Sequence, residues 1–245
     1  MSAPLDPSAI RRVQQILGAL LWIGRAVNNR LLVSLSAIGS QQTSATESTN
    51  DAIHQLLYYC ATYPDDGILY QSSDMILAAH LDAGFANEIK SRSRAGAHIF
   101  LSENDSIPRW NGPLLTIAQI MKYIVSSTAE AEMTALFLTV KEMVPLRNTL
   151  TEMGWKQPPS PLYSDNSTAV GMTNSTLIPK KSRSWDLRLN WLRCREEQGQ
   201  FQTYWDKGPN DDGDYITKHH PDIYHETKRS MGFAGCVFYP NIACI

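Results

Sequence analysis

Two aspartates, Asp82 in MILAAHLDAG and Asp165 in PLYSDNSTAVGM, stand at the ends of short apolar runs that read as buried strands. Neighbouring strands lie about 4.8 Å apart, so carboxylates at two strand ends can face one ion. Either acid alone would ordinarily be a turn or cap residue, the places Asp favours. A third acid lies in SSTAEAEMTAL, which holds two glutamates in different settings. Ser127 followed three residues later by Glu130 is a capping box, which gives Glu130 a structural task. Glu132 projects from nearly the opposite side of the same helix, one turn before Leu136 in the apolar stripe Met133, Leu136, Phe137 and Val140. A glutamate there is either a metal ligand or a partly exposed, solvated side chain. The last acids, Asp211, Asp212 and Asp214, crowd the start of a short helix in PNDDGDYITKHHP. The helix dipole favours acids at that place, which accounts for Asp211 and Asp212 without any function. Asp, Glu, Asp, Asp on strand, helix, strand end and final helix supply hard oxygen ligands suited to Mg²⁺ or Mn²⁺. Two such ions about 4 Å apart activate water and stabilise the leaving oxygen in phosphodiester cleavage.

The elements that must position these acids follow from periodicity. Asp6-Pro7 starts a helix on which Ile10, Val13, Leu17, Leu20 and Leu21 recur at helical spacing. The apolar stretch 31–38 fits helix or strand, 39–50 reads as a loop, and 51–62 as a helix. Beyond the turn dipeptide Asp66-Gly67, strands are expected at 67–70, at 75–81 ending at Asp82, and at 96–101. Residues 114–118 with 123–126 give a further strand, and a long helix runs from about Thr128 to Met153. A strand at 162–164, a short helix after Asn166 and a helix over 184–197 come next. Phe201, Thr203 and Trp205 alternate with polar residues as a last strand, before a short helix near 212–218. Strands first, then helices alternating with strands, predict an α/β fold with a mixed sheet and helices on its faces.

Composition sets limits. With 43% hydrophobic residues the chain builds a real core, and its net charge of −2 gives no general attraction to nucleic acid. A nucleic-acid site must therefore be local and metal-assisted. Cys60, Cys194, Cys236 and Cys244 lack paired CxxC spacing, so no zinc site is expected. Free thiols fit a reducing compartment, hence an intracellular location in cytoplasm or nucleus. The apolar run 16–23 is too short to span a bilayer, and neither a secretory signal nor a membrane anchor is expected.

From about Met75 to Pro221 the chain resembles the ribonuclease H domain of copia-type LTR retrotransposon polyproteins. The pieces that carry the resemblance are HLDAGFAN, SSTAEAEMTALFLTVKE, YSDNSTAVGM, SWDLRLNWLR, GQFQTYW and DYITKHHP, in the family's order and with similar spacing. Residues 5–72 resemble the segment that joins the reverse transcriptase to that domain. The resemblance implies a helical segment at 1–73 like the thumb or connection, a ribonuclease H-like domain at 74–221 with a five-stranded mixed sheet, and a tail at 222–245. It implies that Asp82 bridges two metal ions, that Asp82 and Asp214 hold the ion that activates water, and that Asp82, Glu132 and Asp165 hold the other. The implied reaction is endonucleolytic hydrolysis of RNA in an RNA/DNA hybrid, with contacts to 2′-hydroxyls telling RNA from DNA. The polymerase part of the parent polyprotein is an implied partner.

The chain departs from the family pattern in places. Gly213 replaces the usual Ala, Asp211 and Asp212 add charge, and Pro145 lies inside the long helix, where proline costs about 3 kcal/mol or a kink. No histidine lies between Asp186 and Asp214, where cellular ribonucleases H carry one, and His219 and His220 read as structural or exposed. TYPDD at 62–66 imitates a polymerase signature, but Pro64 and Asp-Gly make it a turn, and no polymerase activity is expected. Asp186 reads as an exposed ion-pair residue near Arg183 and Arg188, and Trp185, Leu189 and Leu192 as core. Lys90, Arg92 and Arg94 lie on a hairpin, either touching phosphates or solvated. The competing reading is a catalytically inactive remnant that serves as a nucleic-acid-binding or interaction module.

Overall fold

The structure, a computed structural model, describes residues 2–105, 111–175, 186–207 and 212–218, apart from the side chains of Asp186, Asp212 and Asp214. The chain forms two compact units, Met1–Ile68 and Leu69–Ile245.

The first unit is helical. Helix α1 spans Pro7–Ala26, and Asp6 caps it by accepting from the backbone N–H groups of Ser8 and Ala9 at 2.8 and 2.9 Å. The stretch that fitted helix or strand is helix α2, Leu31–Gly39. Helix α3, Glu47–Thr62, starts four residues earlier than the sequence suggests, because Thr46 and Thr49 form a capping box inside the expected loop. Val13, Leu17 and Leu20 of α1, Leu31, Leu35 and Ile38 of α2, and Ile53 and Leu56 of α3 share one core.

The second unit is α/β, with a mixed five-stranded sheet flanked by helices, as expected. Its strands are β1 (Ile76–Glu88), β2 (Arg92–Ser102), β3 (Pro113–Ile120), β4 (Ser160–Ser164) and β5 (Phe201–Trp205), in the order β3-β2-β1-β4-β5. The first three pair antiparallel, and β4 and β5 add in parallel. Helix α4 (Thr128–Glu152) follows β3, α5 (Ser167–Thr173) follows β4, α6 (Asp186–Glu197) precedes β5, and α7 (Asp212–Thr217) comes last. Leu77, Ala79, Leu81 and Ala83 enter the main core with Met133, Leu136, Val140 and Met143 of α4 and Leu189 and Leu192 of α6. Alternation along the strand turns His80 and Asp82 to the other side of the sheet. Helix α4 runs through Pro145 without a break.

Three expectations about elements are corrected. No strand forms at 67–70. Instead Tyr70 donates its hydroxyl to the Pro113 carbonyl at 3.0 Å, and the Gln71 N–H donates to Asn111 Oδ1 at 2.8 Å. Asp82 does not end its strand: β1 continues to Glu88 through an irregularity after Gly84. Residues 123–126 carry no strand, since β3 closes at Ile120.

Candidate metal centre

Register builds the site. His98 of β2, His80 of β1, Tyr163 of β4 and Tyr204 of β5 are successive partners in the sheet, so they form one row on one face. His80 stacks on Tyr163 at 4.9 Å and Tyr163 on Tyr204 at 5.6 Å between ring centroids. Burial holds both imidazoles neutral. His98 is lowered to about 4 by desolvation, and His80 to about 3 by desolvation and then by its neighbour His98. Burial, then Tyr204 and Asp206, pushes the Tyr163 phenol up to about 12. Two residues beyond His80 on the same face of β1 comes Asp82, and two beyond Tyr163, just past the end of β4, comes Asp165.

Glu132 reaches the same place from the first turns of α4. Ligand oxygens of Asp82, Glu132 and Asp165 all lie within 4.8 Å of one another. Asp82 and Glu132 are each 3% exposed, and Asp165 is half-buried. The two glutamates divide their tasks as the sequence suggests, with one change. The Glu130 N–H donates to the Ser127 hydroxyl oxygen at 3.2 Å, but the Glu130 carboxylate accepts from the N–H and hydroxyl of Ser126 at 2.8 and 2.7 Å, one residue before the cap. Asp214 belongs to α7, and its side chain lies outside the described residues, as do His219 and His220.

The donor set fits a divalent cation. All three groups are carboxylates, which suits hard ions such as Mg²⁺ or Mn²⁺. Three carboxylates this close repel one another, and a cation among them would offset that repulsion. Asp82, Glu132 and Asp165 are the residues that would hold it.

Two contacts of the site were not legible beforehand. Trp205 donates its indole N–H to the Asp165 carbonyl at 2.9 Å. It anchors the turn that carries the acid, in front of Asn166, whose side chain caps α5 by accepting from Ala169 N–H at 3.0 Å. The alternation of β5 marked Trp205 as a strand residue, but a side chain leaving the strand for a neighbouring loop has no sequence signature. The second contact is the hydrogen bond that the Thr217 hydroxyl donates to Asp82 Oδ2.

Arg94 corrects another expectation. It is not on a solvated surface: its side chain is fully buried, and Nε and Nη2 grip Glu88 Oε1 at 2.7 and 2.6 Å. The hairpin folds the arginine inward because β2 begins at Arg92 and continues the sheet through Arg94. Asp66 of the polymerase-like TYPDD accepts from Arg30 Nη1 at 3.1 Å and from the Tyr59 hydroxyl at 3.0 Å, a structural use of the acid. Leu189 and Leu192 are core as expected, while Trp185 and the Asp186 side chain lie outside the described residues.

No family model matches the chain. Over 143 residues it is 27% identical to the Retrovirus-related Pol polyprotein from transposon TNT 1-94 of Nicotiana tabacum, a match that covers 58% of this chain and 10% of that one. The chain therefore spans about a tenth of that relative's length. The resemblance to retrotransposon polyproteins read from the sequence is borne out by this match. Among solved structures, the chain is similar to a ribonuclease H1 isolated from compost by a metagenomic approach, with 12% identity, a TM-score of 0.45, and coverage of 58% of this chain and 93% of that one. It is also similar to the N-terminal ribonuclease H domain of a Mycobacterium tuberculosis protein, with 14% identity, a TM-score of 0.39, and coverage of 59% and 92%. Among the described residues no helix is long and apolar enough to cross a membrane.

Proposed function

We propose that this chain is a metal-dependent nuclease of the ribonuclease H type, derived from a retrotransposon polyprotein, that cuts the RNA strand of RNA/DNA hybrids internally. The observation that carries this reading is the meeting of Asp82, Glu132 and Asp165 from three separate elements within 4.8 Å. The match to a retrotransposon Pol polyprotein supports it. Bound Mg²⁺ or Mn²⁺, two ions in this reading, would supply an activated water and stabilise the leaving oxygen. The chain's own residues hold and orient. Asp82, Glu132 and Asp165 would hold one ion, and Asp82 with Asp214 the other. His80 and His98 are buried in the neighbouring row on the same face as Asp82, and surroundings poor in water strengthen a carboxylate's hold on a cation. The RNA strand would be told from DNA at its 2′-hydroxyl groups.

Asp165→Asn and Glu132→Gln test the reading. Each is expected to lower hybrid cleavage by several kcal/mol of barrier, about a hundredfold or more, without loss of the folded circular dichroism spectrum. Undiminished cleavage by either folded variant would remove that residue from the site.

A further inference from the structure

Helix α7 reaches the acids through a residue without charge. Thr217 is fully buried, and its hydroxyl donates a short hydrogen bond to Asp82 Oδ2. Two bare backbone positions permit this approach. Gly96 is the sheet partner of Asp82, and a Cβ on it would lie 2.5 Å from Thr217 Cγ2 and 3.1 Å from the Gly213 carbonyl oxygen. Helix α7 therefore rests directly on the backbone of β2. The Thr217 carbonyl accepts from Asn87 Nδ2 at 2.8 Å, and that amide occupies the space over Gly84, where a Cβ would lie 2.1 Å from it. Thr217 is thus held by its carbonyl and by its methyl. Two heavy atoms on its Cβ restrict χ1, so the direction of the hydroxyl is set as well.

We propose that Thr217 is a positioning residue for the metal centre. By engaging Oδ2 it fixes the rotation of the Asp82 carboxylate and so fixes where Oδ1 is presented. This rests on the metal-dependent reading above. The choice of a hydroxyl has a physical reason. A lysine or arginine here would compete with a cation for Asp82, whereas a neutral donor orients the carboxylate and leaves its charge available. Without the donor, a carboxylate beside two others would turn away from them to reduce repulsion.

A packing role and a positioning role predict different results for Thr217→Val, which keeps the shape and removes the donor. Mn²⁺ binding to the full chain is measured by titration calorimetry, with thermal melting followed by circular dichroism. Thr217→Val is expected to melt as a folded protein and bind Mn²⁺ about 10–100-fold more weakly, the usual effect of losing an outer-shell partner. Thr217→Ser, which keeps the donor, is expected to restore binding. Should valine disturb the seat of α7, Thr217→Ala removes the donor without added bulk and carries the same expectation. A folded Thr217→Val or Thr217→Ala that binds Mn²⁺ as tightly as the unaltered chain overturns the proposal, while Asp82→Asn losing Mn²⁺ in the same series would leave the metal reading standing. An unaltered chain that binds Mn²⁺ no better than Asp82→Asn overturns both.

Discussion

The acids of this chain differ in task though not in chemistry, and their surroundings decide the task. Glu130 spends its carboxylate on Ser126, Asp66 on Arg30 and Tyr59, and Glu88 holds Arg94, while Glu132 turns toward Asp82 and Asp165. The separation of Glu130 from Glu132 was legible because helical geometry puts residues two apart on different sides. The fate of Arg94 was not, since its partner Glu88 lies across a hairpin and the sequence Lys-Ser-Arg-Ser-Arg reads as a basic surface. Breaking a buried ion pair by removing one member costs about 3–5 kcal/mol, because the other charge stays behind. Arg94→Met is expected to lose stability on that scale in urea unfolding, and Glu88→Gln with Arg94→Met to recover most of it. A single variant as stable as the unaltered chain would show that this pair is not a structural anchor.

At the scale of elements, strands β4 and β5 and helices α1, α4 and α5 were readable because each carries its own local signal: Asp-Pro before α1, Ser127 before α4, Asn166 before α5, alternation in β5. What failed depended on partners. Residues 67–70 have strand-like composition and find no edge to pair with, whereas Ala83, Gly84 and Glu88, in a stretch poor in strand formers, pair because Ala95, Arg94 and Arg92 of β2 lie alongside. The contact of α7 with Gly96 joins two elements far apart in sequence and has no local signature. Gly96→Ala would push a Cβ against Thr217, and overpacking of this kind costs about 1–3 kcal/mol. It is expected to lower both the melting temperature and Mn²⁺ affinity. A loss of neither would show that α7 can shift without consequence.

The row of rings under the acids carries a pH dependence of its own. His98 is neutral in the fold with its pKa at about 4, while an unfolded histidine titrates near 6.5. Between these values the unfolded chain binds a proton that the folded chain refuses, so stability falls as pH drops through this window. The slope is about 1.4 kcal/mol per pH unit for one such histidine. His80, lowered to about 3, contributes an equal share, so His98→Gln, which can still donate to the Asn111 carbonyl, is expected to lose about half of the combined slope between pH 6 and pH 4.5 in denaturant titrations. An unchanged slope would mean that another group governs the acid response.

For the molecule as a whole, two units with separate cores divide the chain near Ile68, and all the residues of the candidate centre belong to the second. The elements that carry Glu132 and Asp165 were legible along the sequence, because each acid sits beside a helix cap, Ser127 or Asn166, that marks its element. That Asp82, Glu132 and Asp165 share a space only 4.8 Å across needed the sheet order, which places β4 next to β1 across a long stretch of intervening chain. With a net charge of −2, the chain has little general pull on a polyanion, so under the proposed function recognition of a duplex would rest on the centre and its immediate rim. The most direct measurement is cleavage of a labelled RNA/DNA hybrid by the full chain with Mg²⁺ or Mn²⁺, set beside an RNA/RNA duplex and the Asp82→Asn variant. The account predicts cutting of the RNA strand in the hybrid alone, abolished by Asp82→Asn and by chelation of the metal. A folded chain that leaves the hybrid intact, or cuts it equally well without Asp82, would contradict it.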